Sequence, residues 1–288
     1  MAFGTYWRST VATAPKDEVQ PAAPQQSESF DWGEDYPLGR PAVLTYHEIE
    51  PEHSADLYRI SRDELEQHLR LVAEFRHAKR ALASPPVVTF DDGHESNYRY
   101  APELLAKYRC RAMFFITAGF VESQPTSMKW SQARELASLG HEIQSHSWSH
   151  RCLTHCAPDD LREQLRRSRE MIEERIGMPV DAISIPYGRW NRQVLEACAQ
   201  SGYRRVYTSD PWLPPAERAG VDVRGRLTIR NTMGPEDLRR LLTISGLPLR
   251  FQQAKYQFKQ TVKRILGDRL YHRLWTRFVG RDEPAEMK

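Results

Sequence analysis

From Pro41 onward the chain alternates short apolar runs with amphipathic stretches of helical period. The runs near 42–47, 86–91, 112–117, 141–146, 181–186, 203–208 and 226–230 are short, rich in Val, Ile, Thr, Phe and Tyr, and predict strands. Helices are expected between most of them. Ser61-Arg62-Asp63-Glu64 forms the Ser-x-x-Glu pattern of a capping box, opening a helix to about Ala78. Helices from about Gln132 and about Arg192 meet Gly140 and Gly202, residues suited to the left-handed position just past a helix end. Pro235 suits the first turn of a helix over about 235–245. Seven strands interleaved with helices imply an α/β fold with a parallel sheet, either a barrel or a doubly wound sheet. In both, chemistry gathers at the C-terminal ends of the strands.

Composition changes this picture only at the two ends. Hydrophobic residues are 40% and charged residues 27% of 288, enough for a sizeable core. Residues 1–40 differ: positions 9–40 are rich in Ala, Pro, Gln and Ser, with Pro-Ala-Ala-Pro-Gln-Gln at 21–26, so a flexible leader is expected there. A core domain is expected over 41–247 and a basic helical tail over 248–288. Net charge is +3, but residues 249–288 hold ten basic and four acidic side chains, so the tail is strongly cationic and the rest slightly acidic. With charge confined to the tail, no nucleic-acid partner is expected. The longest apolar run, Met113 to Val121, is too short to span a bilayer. The first residues carry no basic segment followed by a long apolar one, and four cysteines are too few for a disulfide scaffold. These features favour the cytoplasm.

Three strand ends carry candidate chemistry. Thr89-Phe90-Asp91-Asp92-Gly93 places two adjacent carboxylates after an apolar run. Asp-Gly is ordinary turn chemistry, but neighbouring carboxylates point in different directions, so one can ligate a cation while the other handles a proton. His146 and His150 are spaced to converge on one metal, or else are surface or capping histidines. Joined by Asp92 they would make a two-His, one-carboxylate set with open positions for water and substrate. Ser184-Ile185-Pro186-Tyr187-Gly188 is either a plain strand-ending turn or a rigid loop that aims a backbone N–H at an oxyanion. Cys152, His155 and Cys156 lack two further ligands at matching spacing, so no structural zinc site is expected there.

In this order, the three motifs resemble the polysaccharide deacetylase (NodB-homology) family, over about residues 41–232. The resemblance implies a distorted (β/α)7 barrel that removes acetyl from N-acetylated sugars with one divalent metal. Zinc is the expected ion, with cobalt, nickel or iron as alternatives. It implies Asp91 as catalytic base, Asp92, His146 and His150 as metal ligands, and the Tyr187 N–H as oxyanion donor. Two departures stand out. Ser184 occupies a position where many members carry arginine, and no histidine lies near the end of the domain to act as general acid. Val43-Leu44-Thr45-Tyr46-His47-Glu48-Ile49 resembles the early tyrosine-histidine motif of the poly-N-acetylglucosamine deacetylase branch, which assigns the acid role to His47; a buried hydrogen-bonded histidine is the plainer reading. Arg226 is the candidate cation to orient the base.

The expected partner is therefore an N-acetylated glycan, with exopolysaccharide biosynthesis as the context. A hydrolase of the same fold acting on another amide or O-acetyl ester, or a non-catalytic glycan-binding relic, are the alternatives. Over 250–278, Phe251, Phe258, Val262, Ile265, Leu266, Leu270, Leu274, Trp275 and Phe278 recur at helical spacing among basic residues. That helix either packs on the domain or touches an anionic membrane, such as the inner membrane face, or a partner enzyme.

Overall fold

The computed structural model describes residues 43–77 and 86–266. The expected leader over 1–40 and the tail beyond residue 266 lie outside the described residues. Among those described, no helix is long and apolar enough to cross a membrane.

The elements run in order as β1 (Val43–Tyr46), β2 (Glu48–Glu50), β3 (Arg59–Ser61), α1 (Arg62–His77), β4 (Val87–Phe90), α2 (Glu95–Lys107), β5 (Ala112–Ile116), α3 (Trp130–Ser138) and β6 (Glu142–Ser145). They continue as α4 (Pro158–Ile176), β7 (Ala182–Ser184), α5 (Arg192–Gln200), β8 (Arg205–Thr208), β9 (Ala216–Arg218), β10 (Val221–Gly225), β11 (Leu227–Thr228), α6 (Pro235–Thr243) and α7 (Gly246–Leu266). One sheet has the order β11-β1-β4-β5-β6-β7-β8-β10-β9. Every neighbouring pair in it is parallel except β10 with β9. This is the α/β fold expected from the alternation. Among the described residues, no ladder joins β11 to β9 or β10.

Helix ends follow their local chemistry. The Ser61 backbone N–H and hydroxyl both donate to Glu64 Oε2, at 2.6 and 2.9 Å, and the Glu64 N–H donates back to Ser61 Oγ at 3.2 Å. That is the reciprocal capping box at the start of α1. Gly140 and Gly202, at φ +86° and +87°, follow the last residues of α3 and α5. Asn191 caps α5 by accepting from the Val194 N–H at 2.9 Å. The small parallel pair β2–β3 and the β9–β10 pairing were not legible in the pattern, because each strand is only three to five residues long. The expected strand over 226–230 is reduced to Leu227–Thr228.

The sheet has two different faces. Leu44, Val88, Phe90 and Phe114 point into the main core with the helices. The alternate positions Val43, Val87, Met113, Phe115, Ala182 and Tyr207 form a second buried layer. Side chains alternate with period 2 along a strand, so that second face continues upward from Val43 to Thr45 to His47, from Val87 to Thr89 to Asp91, and from Ala182 to Ser184. It thus changes from apolar to hydroxylic to ionisable towards the C-terminal strand ends, and the chemistry sits on top.

Candidate metal centre

Asp91 and Asp92 follow β4 directly. Asp91 keeps the strand's direction, its N–H donating to the Tyr46 carbonyl at 2.9 Å. At Asp92 the backbone turns left-handed, φ +70°, and the second carboxylate swings away from the first. Gly93 follows at φ +76°, with an added Cβ 3.1 Å from Ile116, so the turn is both conformationally and sterically suited to glycine.

Asp92 meets two histidines. His146, at the end of β6, and His150, in the loop beyond it, each place Nε2 3.3 Å from Asp92 Oδ1. Among the described residues, these three are the one group of His, Cys, Asp or Glu whose ligand atoms all lie within 4.8 Å of one another. Cys152, His155 and Cys156 form no such group. The donor set fits a divalent ion. Asp92 Oδ1 is buried and accepts no hydrogen bond. His146 donates from Nδ1 to the Ser184 carbonyl at 2.9 Å, which leaves its Nε2 lone pair facing Asp92. Burial would raise the Asp92 carboxyl, but His146, His47 and His150 hold it well below the usual range. Burial, then the neighbouring His146, pushes His150 down to about 4, so its ring is neutral and able to ligate at pH 7.

Asp91 lies in different surroundings. It is 2% exposed and held by Arg226, which is 1% exposed. Arg226 Nη1 donates to Asp91 Oδ1 at 2.8 Å and Nη2 to Oδ2 at 2.7 Å, a bidentate fork. The remaining donors are also placed: Nη1 to Thr89 Oγ1 at 3.2 Å, Nη2 to Ser184 Oγ at 2.6 Å, and Nε to the Thr208 carbonyl at 3.3 Å. All five N–H groups of the guanidinium therefore have acceptors. Its Cζ also lies 5.3 Å from the Phe115 ring centroid. Ser184 donates its hydroxyl to Asp91 Oδ2 at 2.9 Å. Burial would raise the Asp91 carboxyl; Arg226 and then His146 outweigh it, so Asp91 is ionised.

His47 follows β1 beside β4, close enough to Asp91, Asp92 and His150 to influence their ionisation. Its Nδ1 is buried without a hydrogen-bond partner, and its ring centroid is 5.6 Å from that of Tyr58. Asn97 Nδ2 donates to the His47 carbonyl at 2.5 Å and fixes its backbone. Tyr187 sits in the Pro-Tyr-Gly turn at φ +59°, its ring 4.8 Å from His150. Gly188 beside it could not be replaced, because a Cβ would lie 2.6 Å from Ser209. His47, Asp91, Asp92, His146, His150, Tyr187 and Arg226 thus lie at or just beyond the C-terminal ends of the strands, Arg226 directly after β10. Thr89, Thr208, Asn97 and Tyr58 were missed. Thr89 could have been found from the period-2 parity that puts it directly below Asp91.

The fold and site define a class: an α/β protein with an Asp-His-His metal-type cluster beside a buried, charge-locked carboxylate at its strand ends. Residues 79–206 match the family model described as polysaccharide deacetylase. Among curated relatives, the putative polysaccharide deacetylase YxkH of Bacillus subtilis is 25% identical over 183 residues, covering 59% of this chain and 64% of that one. A chitooligosaccharide deacetylase of Sinorhizobium fredii is 33% identical over 144 residues, covering 47% and 63%. The chain spans under two thirds of the length of either relative. The Streptococcus pyogenes deacetylase PplD, solved in complex with acetate, superposes with a TM-score of 0.62 at 23% identity, over 73% of this chain and all of that one. IcaB from Ammonifex degensii superposes at 0.59 with 24% identity, over 72% and 99%. These likenesses show the fold, and the family model and relatives together support the polysaccharide deacetylase family for this domain.

Proposed function

We propose that this domain is a metal-dependent carbohydrate deacetylase that hydrolyses the N-acetyl group of a glycan and releases acetate. The observation that carries this reading is the pair of neighbouring carboxylates with opposite surroundings, Asp91 locked to Arg226 and Asp92 joined to His146 and His150. The family model and the curated sugar deacetylases among its relatives support the same reading.

Asp92, His146 and His150 would hold a divalent cation, zinc being suited to two imidazoles and one carboxylate. Such an ion supplies positive charge for a developing oxyanion and acidifies water. Asp91 acts as general base. The Arg226 fork keeps it ionised and fixes its plane; Oδ2 also accepts from Ser184, so Oδ1 is the oxygen that retains a lone pair to accept a proton. The Tyr187 N–H donates to the oxyanion of the tetrahedral species. His47 protonates the departing amine, so that a free amino sugar and acetate leave. An early histidine as acid, together with Arg226 in place of an arginine at position 184, supports the layout of the poly-N-acetylglucosamine branch.

The test is acetate release from N-acetylated glucosamine oligomers, chitooligosaccharides and O-acetylated xylan, using protein stripped of metal and reloaded with zinc or cobalt. Release from the N-acetylated series that vanishes on stripping and returns on reloading is the expected result. Release only from O-acetyl esters would move the domain to the ester reading. No release from any substrate by metal-loaded protein would leave a binding relic.

A further inference from the structure

Helix α7 differs from the other helices in what it exposes. Leu247, Phe251 and Phe258 are 80%, 69% and 72% exposed. Among the described residues, the other exposed large apolar side chains are Leu139 and Met178, which stand apart on other elements. At about 100° per residue, positions 247, 251 and 258 fall within an arc of about 40°, and the exposed Ala254 lies on the same stripe. Tyr256, buried, and Leu249, half-buried, fall on the opposite side. The helix therefore rests on the domain by one side and turns its aromatic stripe outward.

The charges around the stripe are all of one sign. Arg250 and Lys255, both exposed, flank it on its two sides. In sequence α7 also carries Lys259, Lys263 and Arg264, and no Asp or Glu. A row of apolar groups with cations along both margins is the distribution of a helix lying in a bilayer interface, where the rings reach the acyl boundary and the cations meet phosphates. A second copy of the same face would bring cation against cation. We propose that α7 docks this protein on an anionic lipid surface, with Leu247, Phe251 and Phe258 inserted and Arg250 and Lys255 at the headgroups. This inference does not rest on the proposed activity.

The test is co-sedimentation of the full chain with phosphatidylcholine vesicles, with and without phosphatidylglycerol. The wild type should bind the anionic vesicles and release as salt rises from about 0.1 M to about 0.5 M. Phe251→Ser and Phe258→Ser should each lower partitioning about tenfold or more, from loss of the buried ring. Arg250→Gln and Lys255→Gln should each lower it about fivefold. All four changes are on exposed positions, and thermal melting checks that the fold is kept. No binding by the wild type overturns the proposal. So does binding that survives Phe251→Ser/Phe258→Ser, since another part of the chain would then hold the lipid. A concentration-dependent dimer that these substitutions abolish, seen by sedimentation velocity without lipid, would assign the face to self-association instead.

Discussion

Asp91 and Asp92 are adjacent in the chain and share almost nothing else. Asp92 stands at an open rim, its side chain 38% exposed, and its neighbours are two histidines from one strand end and the loop after it. Asp91 lies at the floor, wholly buried, and its principal partner is 135 positions away. The rim belongs to the segment 79–206 that matches the family model; Arg226 and His47 lie outside it, on either side. Local motifs build the cluster that can hold an ion. The sheet order, which sets β1 next to both β4 and β11, brings the groups that would handle protons. A change at the rim should therefore be read out in metal content, and a change at the floor in turnover and stability.

The largest effect should come from the rim. Asp92→Ala, His146→Ala and His150→Ala should each lose most of the bound zinc, measured by elemental analysis after dialysis, and activity with it. Metal retained at wild-type level in all three would remove the triad. Asp91→Asn should keep the metal and lose about 10²–10⁴ in kcat/KM on an acetylated oligosaccharide. Near-wild-type rates would deny it the role of base.

Arg226→Met sharpens the contrast, because it should leave metal binding intact yet expose the cost of an uncompensated buried charge. A loss of about 3–5 kcal/mol in denaturant unfolding is expected. Asp91→Asn/Arg226→Met should recover much of that stability while staying inactive. An additive double variant would mean that the two residues are not energetically paired. His47→Ala, the other flank, should bind metal normally and turn over about 10²-fold more slowly on an amide. Unchanged turnover would mean that another group or solvent protonates the amine. The smallest effect is expected from Ser184→Ala, about 1–2 kcal/mol of stability from a lost buried hydrogen bond, with the fork preserved.

Much of this was legible in the chain. The alternation gave the α/β class, and the Ser61–Glu64 box, Gly140 and Gly202 gave helix ends, because those signals are carried by residues a few positions apart. His146 and His150 were legible as a pair for the same reason, while Asp92 belongs to a separate strand-end motif far earlier in the chain. The floor was harder to read. Nothing local to Arg226, within Gly225-Arg226-Leu227, distinguishes a buried guanidinium from a surface one; its five acceptors come from β4, β7 and β8 and the residue after β4, and only the sheet assembles them. The strands β2, β3, β9 and β10 escaped because pairing partners, not periodicity, define segments so short.

The left-handed residues carry a further consequence. Among the described residues, seven non-glycine positions have positive φ, and four of them are Asp92, Ser147, His150 and Tyr187. Each such conformation costs an L-residue of order 1 kcal/mol. The strand-end loops are thus held in a backbone region that most residues avoid, and of the four only Asp92 and His150 are of types that enter it more readily. The shape of these loops is therefore held against a local preference, and glycine at Ser147 or Tyr187 would relieve that strain while loosening the rim.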